Sequence, residues 1–382
     1  MTRRPRLLVL VDSLQDVLGG GERTALRLAT ELPGAGFDVW MCTTRNAEGW
    51  PLEHLRAAGV PHVAAWRRSR TDLRGLKPLW RTLHDERIDI VHSHLYGSNV
   101  WGTLLGRAAR VPVVVAHEHS WPYAGDPIRV VVDSAIGRAA DAFVAVSRAD
   151  AELMTTVERV PAEKIHVIPS AWTDRSDGAP PGDLRAELGI PEGAPVVGTV
   201  AILRRVKRLE LLVEAFALVL ERVPDAWLVI AGDGPDRAAV EAAVADAGVG
   251  ERVRMTGSRE DIESVWRTLD VGAMSSDREG VPVAALEALA HGVPMVAPAV
   301  GGIPEILGQG GGVLVGRHDV EALAREITTL LLDADLRRAV GAAGRARSGE
   351  FTAAAQVERC VRLYRELLDT PAARRRAARR ER

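Results

Sequence analysis

Short apolar runs of strand length alternate with amphipathic, helix-like stretches along nearly the whole chain, and this rhythm restricts the fold more than any other feature. Apolar runs separated by helix-length segments are the mark of parallel sheets with crossover helices on both faces. In the first half the strand-like runs are Arg6–Asp12, Asp38–Thr43, His62–Trp66, Ile88–His92, Val113–His117, Ala142–Val146 and His166–Pro169. Amphipathic segments such as Gly21–Leu32, Leu73–Asp85 and Arg148–Val157 lie between them. Residues 173–194 are rich in Gly, Pro and Asp and carry no such run, so they read as a linker. The alternation restarts over Val196–Ala201, Ala226–Ala231, Val253–Thr256, Val271–Met274, Pro294–Ala297 and Gly312–Val315. A last helix is predicted near Thr352–Leu368. A chain of 382 residues is too long for one ordinary core. The expected fold is therefore α/β, with two Rossmann-like, doubly wound parallel-sheet domains at 1–172 and 195–349. A helix at 350–369 and a basic tail at 370–382 follow them.

Composition removes several classes of function. A net charge of −2 argues against a protein dominated by nucleic-acid contacts. No apolar run approaches the roughly 18 residues that span a bilayer. Near the N-terminus, Leu7–Val11 is stopped by Asp12, which makes it too short for a signal segment and suited to a first buried strand. Cys42 and Cys360 are far apart and lack metal-ligand spacing, as expected in a reducing cytoplasm. The localisation expected from this is cytoplasmic. The arginine-rich tail reads as a solvated, disordered run, with peripheral contact to the inner face of a membrane as its second reading.

Residues 277–298, DREGVPVAALEALAHGVPMVAP, carry the densest chemistry. Pro282 and Gly292 bracket a helix predicted over about Val281–His291. Glu279 then lies in the loop before that helix, beside its exposed N–H groups, and Glu287 lies on the helix itself. A helix N-terminus attracts phosphate, and flanking carboxylates accept hydrogen bonds from sugar or ribose hydroxyls. A nucleotide sugar satisfies both. The plain alternative is an amphipathic helix with two incidental glutamates.

The stretch Glu279-Gly-Val-Pro-Val-Ala-Ala-Leu-Glu287 resembles the donor-site signature of the retaining glycosyltransferases of family 4, which have the two-domain GT-B fold. The resemblance extends over almost the whole chain: Gly19-Gly-Gly-Glu22, Asp89-Ile-Val-His-Ser-His94, Val144-Ala-Val-Ser147, Lys164-Ile-His-Val-Ile-Pro169, Ala231-Gly-Asp-Gly-Pro235 and Gly301-Gly-Ile-Pro-Glu305 follow in the family's order. It implies two domains facing a cleft, with the C-terminal helix crossing back to the first. It also implies transfer of a sugar from a UDP- or GDP-sugar to a glycan, glycolipid or small-molecule hydroxyl. The nucleotide sugar is a co-substrate, and no metal or other cofactor is expected.

Residue by residue, the resemblance assigns His119, Lys207 and Glu279 to the reacting centre. Lys207 neutralises the leaving diphosphate together with the N–H groups of Gly280 and Val281. Gly20 and Gly21 approach the donor, the Gly257 loop faces the base, and Glu287 holds the ribose. Glu22, His92 and His94 lie on the acceptor side. Relatives often carry arginine where this chain has Ile202, which leaves Arg204, with Arg205 beside it, to supply the second cation. Pro169-Ser-Ala-Trp-Thr-Asp174 also departs from the family's Pro-Asn-Gly. The residues themselves leave other readings open. His92, His94, His117 and His119 form two i, i+2 pairs whose members share a strand face, and with Glu118 they have the makings of a metal-dependent hydrolase. A GT-B nucleotide-sugar epimerase and a non-catalytic sugar-nucleotide binder remain as alternatives to transfer.

Overall fold

The computed structural model describes residues 3–15, 19–69, 72–119, 126–172 and 183–381. The chain divides into two compact units, residues 1–170 with 353–382, and residues 171–352.

The first unit is built on a seven-stranded parallel sheet: β1 (Arg6–Val11), β2 (Asp38–Thr43), β3 (His62–Ala64), β4 (Ile90–His94), β5 (Val113–His117), β6 (Ala142–Ala145) and β7 (Ile165–Val167), in the order β3-β2-β1-β4-β5-β6-β7. Alternation along β1 divides its side chains between two cores. Leu7, Val9 and Val11 enter one, and Leu8 and Leu10 enter the other, as the period of two along a strand requires. The second unit has a six-stranded parallel sheet of β8 (Val196–Val200), β9 (Trp227–Ala231), β10 (Val253–Gly257), β11 (Val271–Ala273), β12 (Met295–Pro298) and β13 (Gly312–Val315), ordered β10-β9-β8-β11-β12-β13. Its core gathers around Phe216, Leu228, Ile230 and Ile327. Chain order reverses between β1 and β4 in the first sheet and between β8 and β11 in the second. Such reversals open a crevice beyond the strand ends, where ligands of α/β sheets bind.

The helix Ala353–Leu368 returns to the first unit and buries Cys360, Leu363 and Tyr364 in its core. Three expectations need correction. The tail is not a disordered run: Pro371–Glu381 is a helix, with Ala373 buried in the first core. Arg376 donates to the Pro112 carbonyl at 2.6 Å and pairs with Asp141 at 2.6 Å, and Arg380 donates to the carbonyls of Ile88 and Leu83. Alanine and arginine both favour helix, and long arginine stems cover apolar surface while their forks satisfy strand-end carbonyls. The linker read at 173–194 is shorter than expected. Residues 173–182 lie outside the described residues, whereas Leu184–Glu187 is a helical turn of the second unit, where Arg185 donates to the Thr268 carbonyl and pairs with Asp270. Finally, the donor-side helix runs over Val283–His291 rather than from Val281. Pro282 has extended ψ, and the residue before a proline is pushed out of the helical region. No helix among the described residues is long and apolar enough to cross a membrane.

Candidate functional site

In the first unit four imidazoles gather at the carboxyl ends of β4 and β5. His94 stands opposite His117 in the register of β4 and β5. His92 Nε2 and His117 Nδ1 are 3.2 Å apart, and His94 Nδ1 and His119 Nε2 are 2.9 Å apart. The two hydrogen-bonded pairs lie face to face, with ring centroids 4.3 Å apart for His92 and His94 and 4.1 Å apart for His117 and His119. The Tyr364 hydroxyl, on the returning helix, meets His92 Nδ1 at 2.6 Å and anchors the array from below. Burial disfavours imidazolium in all four rings. It pushes His92 and His119 down to about 3, with the charges of a neighbouring histidine and of Arg27, respectively, acting in the same direction. His94 and His117 fall well below their ordinary value for the same first reason. The array is therefore neutral. His92, His94 and His117 have no exposed surface, whereas His119 is partly exposed.

His92, His94 and His117 each offer a ring nitrogen within 4.8 Å of the others. Neutral imidazole is the form that binds a transition metal, so this trio is where a metal would sit. Both nitrogens of His92 are already engaged, however, and a metal would have to displace the Tyr364 or His117 contact. Asp333 and Asp335, which have the spacing of a metal motif, are used at a helix start: Asp333 accepts the N–H groups of Asp335 and Leu336.

The glycine run serves this array. A Cβ on Gly21 would stand 2.8 Å from Leu95 Cδ2 and 3.1 Å from His119 Cδ2, so a larger residue at the start of the helix Gly20–Glu31 would push the Leu95 and His119 side chains aside. A Cβ on Gly19 would meet the Glu22 carboxylate at 2.8 Å. Leu95 has φ +69° and ψ 157°, a conformation costly for a side chain-bearing residue. Such strain concentrates at functional sites.

In the second unit the loops after β8 and β11 meet. Lys207 ends a 3-10 turn over Arg205–Lys207, and its Nζ donates to Glu279 Oε1 at 2.6 Å. Ser276 Oγ donates to the same oxygen at 2.6 Å. Ser275 Oγ donates to the carbonyls of Lys207 and Arg208, and the Asp277 N–H to that of Val206, so the two loops are joined along their length. Gly280 and Val281 are buried beside them. The helix Val283–His291 that follows has no side-chain cap, which leaves its first N–H groups available to an anion. Glu287 on this helix is only 6% exposed, and Trp266 Nε1 approaches its Oε2 at 3.4 Å.

Glycines again permit the close approach of backbone. A Cβ on Gly301, at φ +52°, would lie 1.7 Å from the Glu279 carbonyl, and one on Gly232, at φ +132°, would lie 1.9 Å from that of Ala201. Gly257, at φ +73°, accepts the Gly232 N–H at 2.8 Å. Arg204 and Arg205 are exposed and make no ion pair among the described residues.

Lys207, Glu279, Gly280, Val281, Glu287, Arg204 and Gly257 thus all belong to the second unit, and Gly20, Gly21, Glu22, His92, His94 and His119 to the first. Sequence reasoning missed Tyr364, Leu95, Ser276 and Trp266. Of these, only Ser276 had a local signal, as a hydroxyl directly after a strand and before the acidic loop.

Two Rossmann-like parallel-sheet units, each with polar side chains gathered at its switch point, are the architecture of the GT-B class. Residues 18–171 match Glycosyltransferase Family 4, and residues 182–347 match Glycosyl transferases group 1. The D-inositol 3-phosphate glycosyltransferase of Kineococcus radiotolerans is 30% identical over 94% of this chain and 92% of its own. That of Corynebacterium jeikeium is 32% identical over 73% and 72%. Among solved structures, Anabaena HepE in complex with UDP and glucose superposes with a TM-score of 0.82 at 21% identity, covering 95% of this chain and all of that one. Sucrose-phosphate synthase of Thermosynechococcus elongatus superposes with a TM-score of 0.78 at 24% identity, covering 96% and 99%. The chain belongs to glycosyltransferase family 4 and is a glycosyltransferase.

Proposed function

We propose that the protein transfers a sugar, with retention of anomeric configuration, from a UDP- or GDP-sugar to an acceptor hydroxyl, without a metal. The observation that carries this reading is the Lys207–Glu279 pair at the switch point of the second sheet, beside an uncapped helix N-terminus. A diphosphate placed there meets a cation and free N–H groups, the electrostatic equipment that a departing phosphate needs. UDP in the HepE complex favours a uridine donor. The D-inositol 3-phosphate relatives make a small phosphorylated polyol the first acceptor to test, ahead of a glycan or glycolipid.

In this mechanism the acceptor oxygen attacks the anomeric carbon on the face from which the phosphate leaves. As the carbon–oxygen bond to phosphate breaks, the departing oxygen takes the acceptor's proton. Lys207 and the N–H groups at Gly280–Val281 hold the developing negative charge, with Arg204 adding to the field. Glu279 orients the sugar hydroxyls, Glu287 the ribose, and the Gly257 loop the base. Gly20 and Gly21 bring backbone to the donor. His119, neutral and held by His94, hydrogen-bonds the transferred sugar. Glu22, His92 and His94 support the acceptor side, His92 and His94 through the array because neither has a surface of its own.

The test is a screen of UDP- and GDP-sugars by thermal shift. A hit is then followed by acceptor-dependent nucleotide release in EDTA. Stabilisation by one nucleotide family, followed by release in the chelator, is expected. Interconversion of the donor without an acceptor would transfer the assignment to an epimerase.

A further inference from the structure

The loop proposed to face the base, residues 257–261, follows β10, the edge strand of the second sheet. Its first residue is tied to the neighbouring strand end, where the Gly257 carbonyl accepts the Gly232 N–H at 2.8 Å. A loop on a sheet edge has a neighbouring strand on one side only, and Ser258 and Glu260 are exposed. Arg259, between them, is held. Its Nη1 and Nη2 donate to Glu187 Oε1 and Oε2 at 2.6 and 3.0 Å. Its Nε and Nη2 donate to Asp261 Oδ1 and Oδ2, both at 2.8 Å. Two forked pairs thus occupy four of the five guanidinium N–H donors. The side chain is only 16% exposed as a result.

Both carboxylates are themselves placed. Glu187 ends the helical turn Leu184–Glu187, in which Leu184 is buried. Arg185 donates to the carbonyls of Ala194 and Thr268, and Arg254 of β10 donates to the Leu188 carbonyl at 2.9 Å. The turn is therefore a fixed abutment beside β10. Asp261 precedes the helix Ile262–Thr268, a position where aspartate ordinarily caps the first N–H groups. It makes no side-chain cap bond and turns to Arg259 instead. Hydrogen bonds from Arg259 hold the carboxyls of Asp261 and Glu187 below the usual carboxylate range. Isolated surface ion pairs contribute little, but a bidentate network is the case in which geometry makes them count.

We infer that Arg259 is a positioning residue for base selection: bracketed by Glu187 and Asp261, it holds the main chain of residues 257–260 as a rigid edge that tells one nucleobase from another. The guanidinium has no spare fork to offer a base, so the choice falls to main-chain N–H and C=O groups. Such groups discriminate hydrogen-bond patterns only while their positions are fixed. A loop free to shift by about 1 Å adjusts to either uracil or guanine and loses the distinction. Lysine, a point charge, cannot span two carboxylates with paired bonds. The inference rests on the glycosyl-transfer reading and concerns how its donor site chooses the base.

The test uses the full chain and calorimetric titration with UDP, GDP and inorganic pyrophosphate, for the wild type, Arg259→Met, Arg259→Lys and Glu187→Ala. Glu187 is exposed, so its substitution opens the bracket from outside while Arg259 keeps Asp261, which guards against loss of the fold. In the wild type one nucleotide should bind more tightly than the other by about tenfold or more. In all three variants that preference should fall to about threefold or less, with pyrophosphate affinity unchanged. With a sugar donor of the preferred base, KM should rise while kcat at saturation stays near the wild-type value, as for an interaction equal in ground and transition states. A wild type that takes UDP and GDP alike, or a preference that survives Arg259→Met or Glu187→Ala, would overturn the inference. Full rescue by Arg259→Lys would do the same, since charge alone would then suffice, as would a parallel loss of pyrophosphate affinity, which marks general damage. If the wild type binds none of the three probes, the donor reading falls and the inference with it; binding with an unaltered preference in the variants removes the inference alone.

Discussion

Replacing Gly301 with alanine should disable the donor site from a position that contributes no side chain to it. The added Cβ would stand 1.7 Å from the Glu279 carbonyl, whereas contacts shorter than 3.0 Å are essentially never seen. The Glu279 loop must therefore retreat by at least 1.3 Å, the difference of those two distances. A retreat of that size takes the Lys207–Glu279 contact from 2.6 Å to about 3.9 Å if the lysine stays in place, beyond hydrogen-bond reach. It also strains the Gly302 N–H bonds to the carbonyls of Glu279 and Gly280. A left-handed alanine costs roughly 1–2 kcal/mol, and losing the charge-assisted contact costs about 1.5–3 kcal/mol more. A total near 3–4 kcal/mol corresponds to a fall of roughly 10 °C in the melting temperature of the second unit. A misplacement of about 1 Å costs on the order of 10²-fold in rate. Gly310→Ala is the control, because Gly310 also has positive φ, +89°, yet its Cβ would meet only Ala343 at 3.6 Å. It carries the backbone cost without the collision, so roughly 3 °C and near-normal turnover are expected. Scanning fluorimetry and nucleotide release on both variants decide the matter. If Gly301→Ala melts and turns over like Gly310→Ala, the position of Glu279 does not govern the site.

Glu287→Ala should weaken UDP binding by about 10–100-fold in a folded protein, the usual 1.5–3 kcal/mol for a charged hydrogen-bond acceptor; unchanged affinity by calorimetry would remove its ribose role. His119→Ala should lower kcat by about 10²-fold while leaving the UDP Kd nearly unchanged, because the proposed base, ribose and most phosphate contacts belong to the other unit. Full turnover with weakened donor binding would refute that assignment. Glu118 predicts a pH effect, since burial first and Asp133 second push its carboxyl up to about 8. The folded state therefore keeps a proton that the unfolded chain releases near 4.5, so this group's stabilisation is lost as pH rises from about 5 to 8. Glu118→Gln should gain on the wild type by up to about 1.4 kcal/mol per pH unit across that window in urea denaturation. A difference independent of pH would mean that Glu118 is ionised in the fold.

The strands were legible because each is a short apolar run facing two cores, as Leu7–Val11 shows. Their ends moved by a residue or two, since backbone pairing rather than hydrophobicity decides where a strand stops. Glu279 and Lys207 were readable from local pattern, but their contact was not. It depends on β8 and β11 being neighbours, a fact of topology that no local spacing records. Tyr364 was invisible for the same reason, since its partner His92 is hundreds of residues away in the chain. The tail misled because arginine was counted as a solvated charge, whereas Arg376 and Arg380 close strand-end carbonyls. The array at His92, His94, His117 and His119 was seen as paired strand positions, but the packing that buries it and so keeps it neutral required the sheet register.

The most direct test of the central claim is the fate of a UDP-sugar, held with the protein in EDTA and followed by proton NMR with and without glucose 6-phosphate. The account predicts acceptor-dependent release of UDP, in step with one new anomeric signal of the donor's own configuration. A product of inverted configuration, or a donor consumed only when divalent metal is restored, would contradict it.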